Sequence, residues 1–163
     1  MPPGTTDAET RLVRDDHGAI RLWLRMLATN RLVETRTRRL LQERYATTLP
    51  RFDLMAQLER APRGLKMGEL SKRMMVTGGN VTGITDMLED EGLVERVADP
   101  ADRRAWVVRL TPAGRRAFTA MAQEHERWIV EAFGELTNRE MATMAGLLAR
   151  MKAHVRSLEG NEA

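Results

Sequence analysis

The 163-residue sequence predicts a mainly α chain with one small β-hairpin. Three observations predict it. Apolar residues recur at helical spacing before residue 92 and after residue 111. The period shifts to β-rich runs only in residues 93–111. Capping residues, prolines and glycines stand where such helices should start and stop. The predicted order is α-α-α-α-β-β-α-α, without an internal repeat.

Residues 1–16, opening Met1-Pro2-Pro3-Gly4, are expected to form a flexible extension. The first helix spans 17–47. Ile20, Trp23, Leu24, Leu27 and Arg31 fall on one face, and no Pro or Gly interrupts residues 19–48. A helix of ~28 residues runs ~42 Å, too long for one face of a small globule, so it points to a partner. Thr48 and Pro50 start the next helix, with Phe52, Met55, Ala56 and Leu58 inward; Pro62 and Gly64 end it. Met67 to Met74 forms a short third helix with Lys66 at its N-cap position. Thr77 caps a fourth that runs to Glu91, burying Val81, Ile84 and Leu88. Gly92 closes it as the left-handed residue, with Leu93 folding back.

Two short helices joined across Met75-Val76 read as a helix-turn-helix. Residues 93–97 and 105–110 then form a hairpin, tipped by Ala98-Asp99-Pro100-Ala101-Asp102-Arg103-Arg104. Thr111-Pro112 restarts helix, with Phe118, Met121, Ala122, His125, Trp128, Ile129 and Phe133 as its stripe. Thr137-Asn138-Arg139-Glu140 is a capping box for the last helix, whose stripe is Met141, Met144, Leu147, Leu148, Met151 and Val155.

The net charge is only +3, but it is unevenly spread. Residues 31–51 carry six basic side chains against two acidic, while residues 117–163 are mildly acidic. A nucleic-acid surface therefore belongs in the first two thirds. The absence of Cys excludes disulfides, Cys-ligated zinc and thiol sensing. His17, His125 and His154 lack the spacing of a metal site, and no cofactor is expected. No signal peptide and no apolar run of ~20 residues is visible, so a cytoplasmic protein without membrane contact is expected.

A helix-turn-helix followed directly by a basic-tipped hairpin is a winged helix. Asp102-x-Arg104-x-x-x-Val108-x-Leu110-Thr111 resembles the wing signature of MarR-type transcriptional regulators. Met67-Gly68-Glu69-Leu70-Ser71 and Gly92-Leu93-Val94-Glu95-Arg96 resemble the flanks of their helix-turn-helix. The resemblance covers about residues 17–157. It implies a winged helix-turn-helix domain (48–111) between an N-terminal dimerisation helix (17–47) and C-terminal dimerisation helices (112–163). It also implies a homodimer on a pseudo-palindromic DNA operator, usually a repressor released by a small ligand.

The residue types suit that role. Thr77, Gly78, Gly79, Asn80, Thr82 and Gly83 offer a small polar face that can approach base edges, with Asn80 suited to adenine. The glycines would cost roughly 1 kcal/mol each in an exposed helix, so they read either as close approach to DNA or as a loosely wound first turn. Residues 77–91 hold four acids and no Lys or Arg, unlike many family members. Phosphate contacts must then come from Arg63, Lys66, Lys72 and Arg73, and from Arg103, Arg104 and Arg109. The resemblance places Arg104 in the minor groove, oriented by Asp102; the alternative is a solvated tip closed by an Asp–Arg pair.

Family ligands sit between the dimerisation helices and the winged domain. That implies Trp23, Leu27, Arg31, Arg36, Arg38, Phe52 and Met55 as ligand positions, with Trp106 nearby. Trp23 reads equally as core. The Arg31, Arg36, Arg38, Arg39 run suits an anionic effector, an aromatic acid or its coenzyme A thioester, or else dimer pairing or a DNA-backbone contact. Residues 49–55 and 74–83 resemble the branch controlling breakdown of hydroxycinnamic and related aromatic acids. An enzyme is not expected: Ser71 and Ser157 stand in no nucleophile motif, and no phosphate-binding loop is present. The competing expectation is a winged-helix protein-interaction module without sequence-specific DNA binding, favoured by the acids of the fourth helix.

Overall fold

The computed structural model describes residues 8–74, 81–102 and 104–160, with side chains from residue 17 onward. Its elements are α1 (Ala8–Tyr45), α2 (Leu49–Glu59), α3 (Met67–Arg73), α4 (Val81–Asp90), β1 (Val94–Ala98), β2 (Trp106–Leu110), α5 (Pro112–Ala132) and α6 (Asn138–Gly160). The chain is thus mainly helical with one antiparallel hairpin, in the expected order. It divides into two compact units, residues 1–125 and 126–163.

Helix α1 has 38 residues and begins at Ala8 rather than near His17. Residues 8–16 are helical where a loose extension was expected. After Gly4 no strong breaker intervenes, and a single exposed glycine, Gly18, costs a long helix only about 1 kcal/mol. The helix ends on Ala46, whose φ of 50° is left-handed, with its N–H donating to the Gln42 carbonyl at 3.1 Å. Glycine ordinarily fills that position.

In the first unit α2 is central, packing on α1, α3, α4 and β2. Leu41, Leu54, Met55, Leu58, Leu70, Leu88, Val94 and Val108 are fully buried, each contributing about 1.5–3 kcal/mol of apolar burial. Leu54 joins this core although the sequence stripe omitted it, and Ala56 is only half-buried. Val81, Ile84 and Leu88 point inward from α4 as predicted. Buried Thr85 is satisfied by donating to the Val81 carbonyl at 2.7 Å. Thr48 stands at the N-cap of α2 but makes no side-chain cap bond. Thr77 and the Met75-Val76 turn lie outside the described residues.

The α4 exit is a Schellman turn. Gly92 has φ 71°, its N–H donates to Glu89, and Leu93 N–H reaches back to Leu88 at 2.9 Å. Leu93 then touches the start of α5 so closely that a Cβ on Gly114 would lie 1.8 Å from its carbonyl oxygen. Thr111 caps α5 as predicted, its Oγ1 accepting from Gly114 N–H at 2.9 Å and donating to the Gly92 carbonyl at 2.6 Å. Strands β1 and β2 pair in register from Val94↔Leu110 to Ala98↔Trp106. Leu65 adds a bridge to the outer side of β2, exchanging bonds of 2.9 and 2.8 Å with Val108. That bridge anchors the hairpin ahead of α3 and has no signature in the sequence.

In the second unit the capping box forms. Thr137 N–H donates to the Glu140 carboxylate at 2.8 Å, and Glu140 N–H donates to Thr137 Oγ1 at 3.3 Å. The Thr137 hydroxyl, which donates to the same carboxylate at 2.7 Å, and then the Thr137 N–H hold the Glu140 carboxyl below the usual glutamate range. The stripe of α6 is at the surface of the single chain: Leu147 is 55% and Val155 47% exposed.

Two outcomes follow. Ala46→Gly should stabilise the fold by about 1 kcal/mol, because glycine adopts the left-handed conformation without a Cβ clash; urea unfolding measures this. Burial, reinforced by the Glu34 carboxylate, raises the Asp53 pKa. The folded state therefore binds that proton more tightly than the unfolded chain, and stability falls as pH rises through the raised value. Asp53→Asn should stabilise the protein at neutral pH, with the gain vanishing in acid below the ordinary aspartate pKa.

Candidate nucleic-acid interface and ligand positions

Three elements carry the described part of the predicted DNA face. Lys72 is exposed at the end of α3, while Arg73 is paired with Glu69 one turn back. On α4, Thr82 is exposed and Gly83 half-buried. Arg104 is exposed at the hairpin tip. Thr77, Gly78, Gly79, Asn80 and Arg103 lie outside the described residues.

The tip is built by its own acids. Asp99 Oδ1 accepts from Ala101 N–H at 2.9 Å, and Asp102 Oδ1 from Arg104 N–H at 3.1 Å. Asp102 therefore acts on Arg104 through the backbone. Lys66 reaches Asp99 at 3.5 Å, tying the start of α3 to the tip. The Ala101 bond foremost, with Lys66 adding, holds the Asp99 carboxyl below the usual range. Arg109, expected as a phosphate contact, pairs across the hairpin with Glu95 at 2.8 Å.

The acids of α4 have partners of their own. The Arg96 guanidinium, from β1, is bonded to both Asp86 and Glu89, and Arg96 N–H donates to Glu89 at 3.0 Å. These bonds, that to Asp86 foremost, raise the Arg96 pKa. Just past the helix, Glu91 is paired with Arg51 of α2. The sequence shows an acidic helix. The structure sets three of the four acids of residues 77–91 against two arginines from neighbouring elements. Spacing could not reveal this, because Arg96 lies across a turn and Arg51 forty residues away.

The predicted ligand positions are not gathered in the single chain. Trp23 is 55% exposed, Arg31 is exposed and Leu27 half-buried, stacked along α1 at four-residue intervals. Arg36 is half-buried, and Arg38 pairs with Glu34 at 3.3 Å. Arg39 pairs with Glu43 at 3.0 Å. Phe52 and Met55 are interior, with the Phe52 ring 5.4 Å from Phe118 and 4.9 Å from His125. Burial lowers the His125 pKa and favours its neutral form. Trp106 is exposed.

A cavity of about 190 Å³ lies beside Met55, walled by Tyr45, Thr47, Arg51, Leu93 and Met121. The Arg51 Nε there is buried without a hydrogen-bond partner among the described residues. Sequence reasoning passed over Arg51, since one arginine in the first turn of an amphipathic helix carries no signal. An open groove of about 770 Å³ lies between the hairpin and α5. Among the described residues no group of three His, Asp or Glu is placed to hold a metal, and no helix is long and apolar enough to cross a membrane.

The MarR family model matches residues 47–106, which span α2, the helix-turn-helix and the hairpin. The crystal structure of a MarR family transcriptional regulator from Silicibacter pomeroyi superimposes with a TM-score of 0.75 and 30% identity, covering 86% of this chain and 97% of that one. The chain belongs to the MarR family. Sco3205, a family regulator from Streptomyces coelicolor solved in complex with DNA, matches with a TM-score of 0.69 and 27% identity over 93% of this chain and 89% of its own. The transcriptional activatory protein BadR of Rhodopseudomonas palustris is 28% identical over 149 residues, 89% of this chain and 84% of BadR. This MarR protein is accordingly a DNA-binding transcriptional regulator and not an enzyme.

Removing Arg96 leaves Asp86 and Glu89 facing each other without a cation. Arg96→Met should destabilise the fold by about 1–2 kcal/mol, the scale of partly exposed charge-assisted bonds. It should also weaken DNA binding by exposing two carboxylates on α4, whereas Arg96→Lys keeps the charge without the two-armed geometry and restores part of each. Thermal unfolding and fluorescence anisotropy with duplex DNA separate the two effects.

Proposed function

We propose that this MarR protein is a homodimeric repressor that leaves a pseudo-palindromic operator when a small anionic aromatic ligand binds. The observation that carries the DNA half is the basic-tipped hairpin tied to α4 through Arg96, which presents Arg104 and the Thr82 face from one rigid module. Residues 48–111 form that module. Lys72, Arg73, Arg103 and Arg104 supply phosphate or minor-groove contacts, and Thr77, Gly78, Gly79, Asn80, Thr82 and Gly83 read bases. Phosphate contacts of this kind release counterions, so affinity falls with salt.

Dimerisation is assigned to residues 17–47 and 112–163. Ile20, Trp23 and Leu24 on α1, and Leu147, Met151 and Val155 on α6, are too exposed for a chain that stays alone. The effector is assigned to the α1 face of Trp23, Leu27 and Arg31 with the neighbouring Arg36 and Arg38. An apolar ladder beside guanidinium groups suits an aromatic carboxylate or an aryl-coenzyme A thioester. Phe52 and Met55, the remaining expected ligand positions, are interior to the first unit.

The test is a genomic-fragment binding selection with the purified protein at two salt concentrations, followed by release assays with hydroxycinnamic acids and their thioesters. An enriched pseudo-palindrome with half-sites about 10 bp apart is expected. Arg104→Ala should cost about 1–3 kcal/mol of operator affinity without unfolding the protein. Weak binding without enrichment would replace the reading by a protein-interaction module. An operator that no aromatic acid releases would remove the effector class.

A further inference from the structure

We propose that Trp106 is a DNA-contacting residue, whose indole packs on the deoxyribose wall of the groove that Arg104 enters. The side chain is 62% exposed. A single exposed apolar residue is ordinary on a protein surface. What marks Trp106 is where the hairpin register puts it.

Opposed residues of an antiparallel pair share a face, and the faces alternate along each strand. Trp106 and its partner Ala98 therefore share a face with Arg96 and Val108, and with Val94 and Leu110. Val94, Val108 and Leu110 are buried on that face. The Arg96 guanidinium on the same face reaches Asp86 and Glu89 of α4. The face thus looks toward α4. Trp106 stands two residues beyond Val108, roughly 7 Å further toward the tip. Its burial shows that the core has ended there, and Ala98 is too short to cover the ring. The indole is therefore on the α4 side of the hairpin, at the last pair before the tip that carries Arg104.

A duplex engaged by both α4 and the tip has to pass that position. The surroundings suit a polyanion. Arg104 is exposed at the tip, and Lys72 is exposed at the end of α3. The tip acids are occupied within the tip: Asp99 accepts from Ala101 N–H and pairs with Lys66, and Asp102 accepts from Arg104 N–H. A flat apolar ring set among cations fits nucleic acid, where the cations meet phosphate and the ring meets sugar carbons. Deoxyribose is the same in every sequence, so the contact adds affinity without base preference. The inference rests on DNA binding by α4 and the tip. It needs neither the operator symmetry nor the effector.

The experiment is fluorescence anisotropy of the full chain with two labelled duplexes of about 30 bp, over a series of salt concentrations. One is the sequence enriched by the binding selection, and the other is of random sequence. Trp106→Ala should bind both about tenfold more weakly, the scale of losing one aromatic contact to nucleic acid. The slope of log affinity against log salt should stay as it was, because an indole displaces no counterion. Arg104→Ala should instead lower that slope by about one. Trp106→Phe should keep most of the affinity, and the melting temperature of the free protein should be the same in all. Saturating duplex should shift the tryptophan emission of the unaltered chain to the blue, and Trp106→Phe should abolish the shift. Equal affinity of Trp106→Ala and the unaltered chain overturns the proposal. So does a loss that comes with a lower salt slope, or an emission shift that survives in Trp106→Phe. The emission measurement decides the case if Trp106→Ala melts early. If nothing is enriched while Trp106→Ala still weakens the random duplex, the operator reading fails and this inference stands. An enriched operator that Trp106→Ala binds at full strength does the reverse.

Discussion

The Arg96 guanidinium, shared between Asp86 and Glu89, is the contact on which the joining of the hairpin to α4 depends. A two-stranded hairpin is marginal by itself and needs a third partner to hold its direction. Here it has two such partners. Leu65 bridges one side of β2, and Arg96 ties β1 to α4 on the other. The apolar residues Val94, Val107, Val108 and Leu110 then pack on the core that α2 organises. The helix and the hairpin are thereby set relative to each other before any DNA is met. If both engage one duplex, as proposed, little conformational freedom remains to be lost on binding.

The same contact changes the meaning of the charge pattern. A run of acids on a helix that should approach phosphate looks like a defect. Once Asp86 and Glu89 share Arg96 and Glu91 takes Arg51, two guanidiniums offset half of the charge of the four acids. The ion pairs are only partly buried, so their value lies less in stability than in direction and in charge cancellation.

The apolar surface is divided in a telling way. In the first unit α2 and the hairpin bury their large aliphatic side chains almost completely, whereas α1 keeps Ile20, Leu22, Leu24 and Leu32 at the surface of the single chain, and α6 in the second unit does the same with Met144, Leu147, Met151, Val155 and Leu158. A stripe of that length at helical spacing is costly to leave wet. Its periodicity is as regular as that of a core helix, so the sequence alone offers no way to tell what covers it.

Element order and much of the capping were legible in the sequence, because they depend on near neighbours. Gly92 and Leu93 form a Schellman turn, Thr111 caps α5, and Thr137 with Glu140 forms the capping box, all within five residues of chain. The fold class and the MarR membership followed from that local order together with the hairpin signature. The start of α1 was less legible, since helix propensity near a terminus is a weak signal and residues 8–16 carry no breaker to contradict it. Contacts between distant segments were not legible at all. The Leu65 bridge, the Arg96 and Arg51 pairs, the cavity beside Met55 and the groove along α5 each join residues from separate elements. Periodicity specifies which face of an element is apolar, but not which cation from elsewhere meets its polar face. Only packing in three dimensions decides that, through the distance and direction that a charge-assisted bond demands.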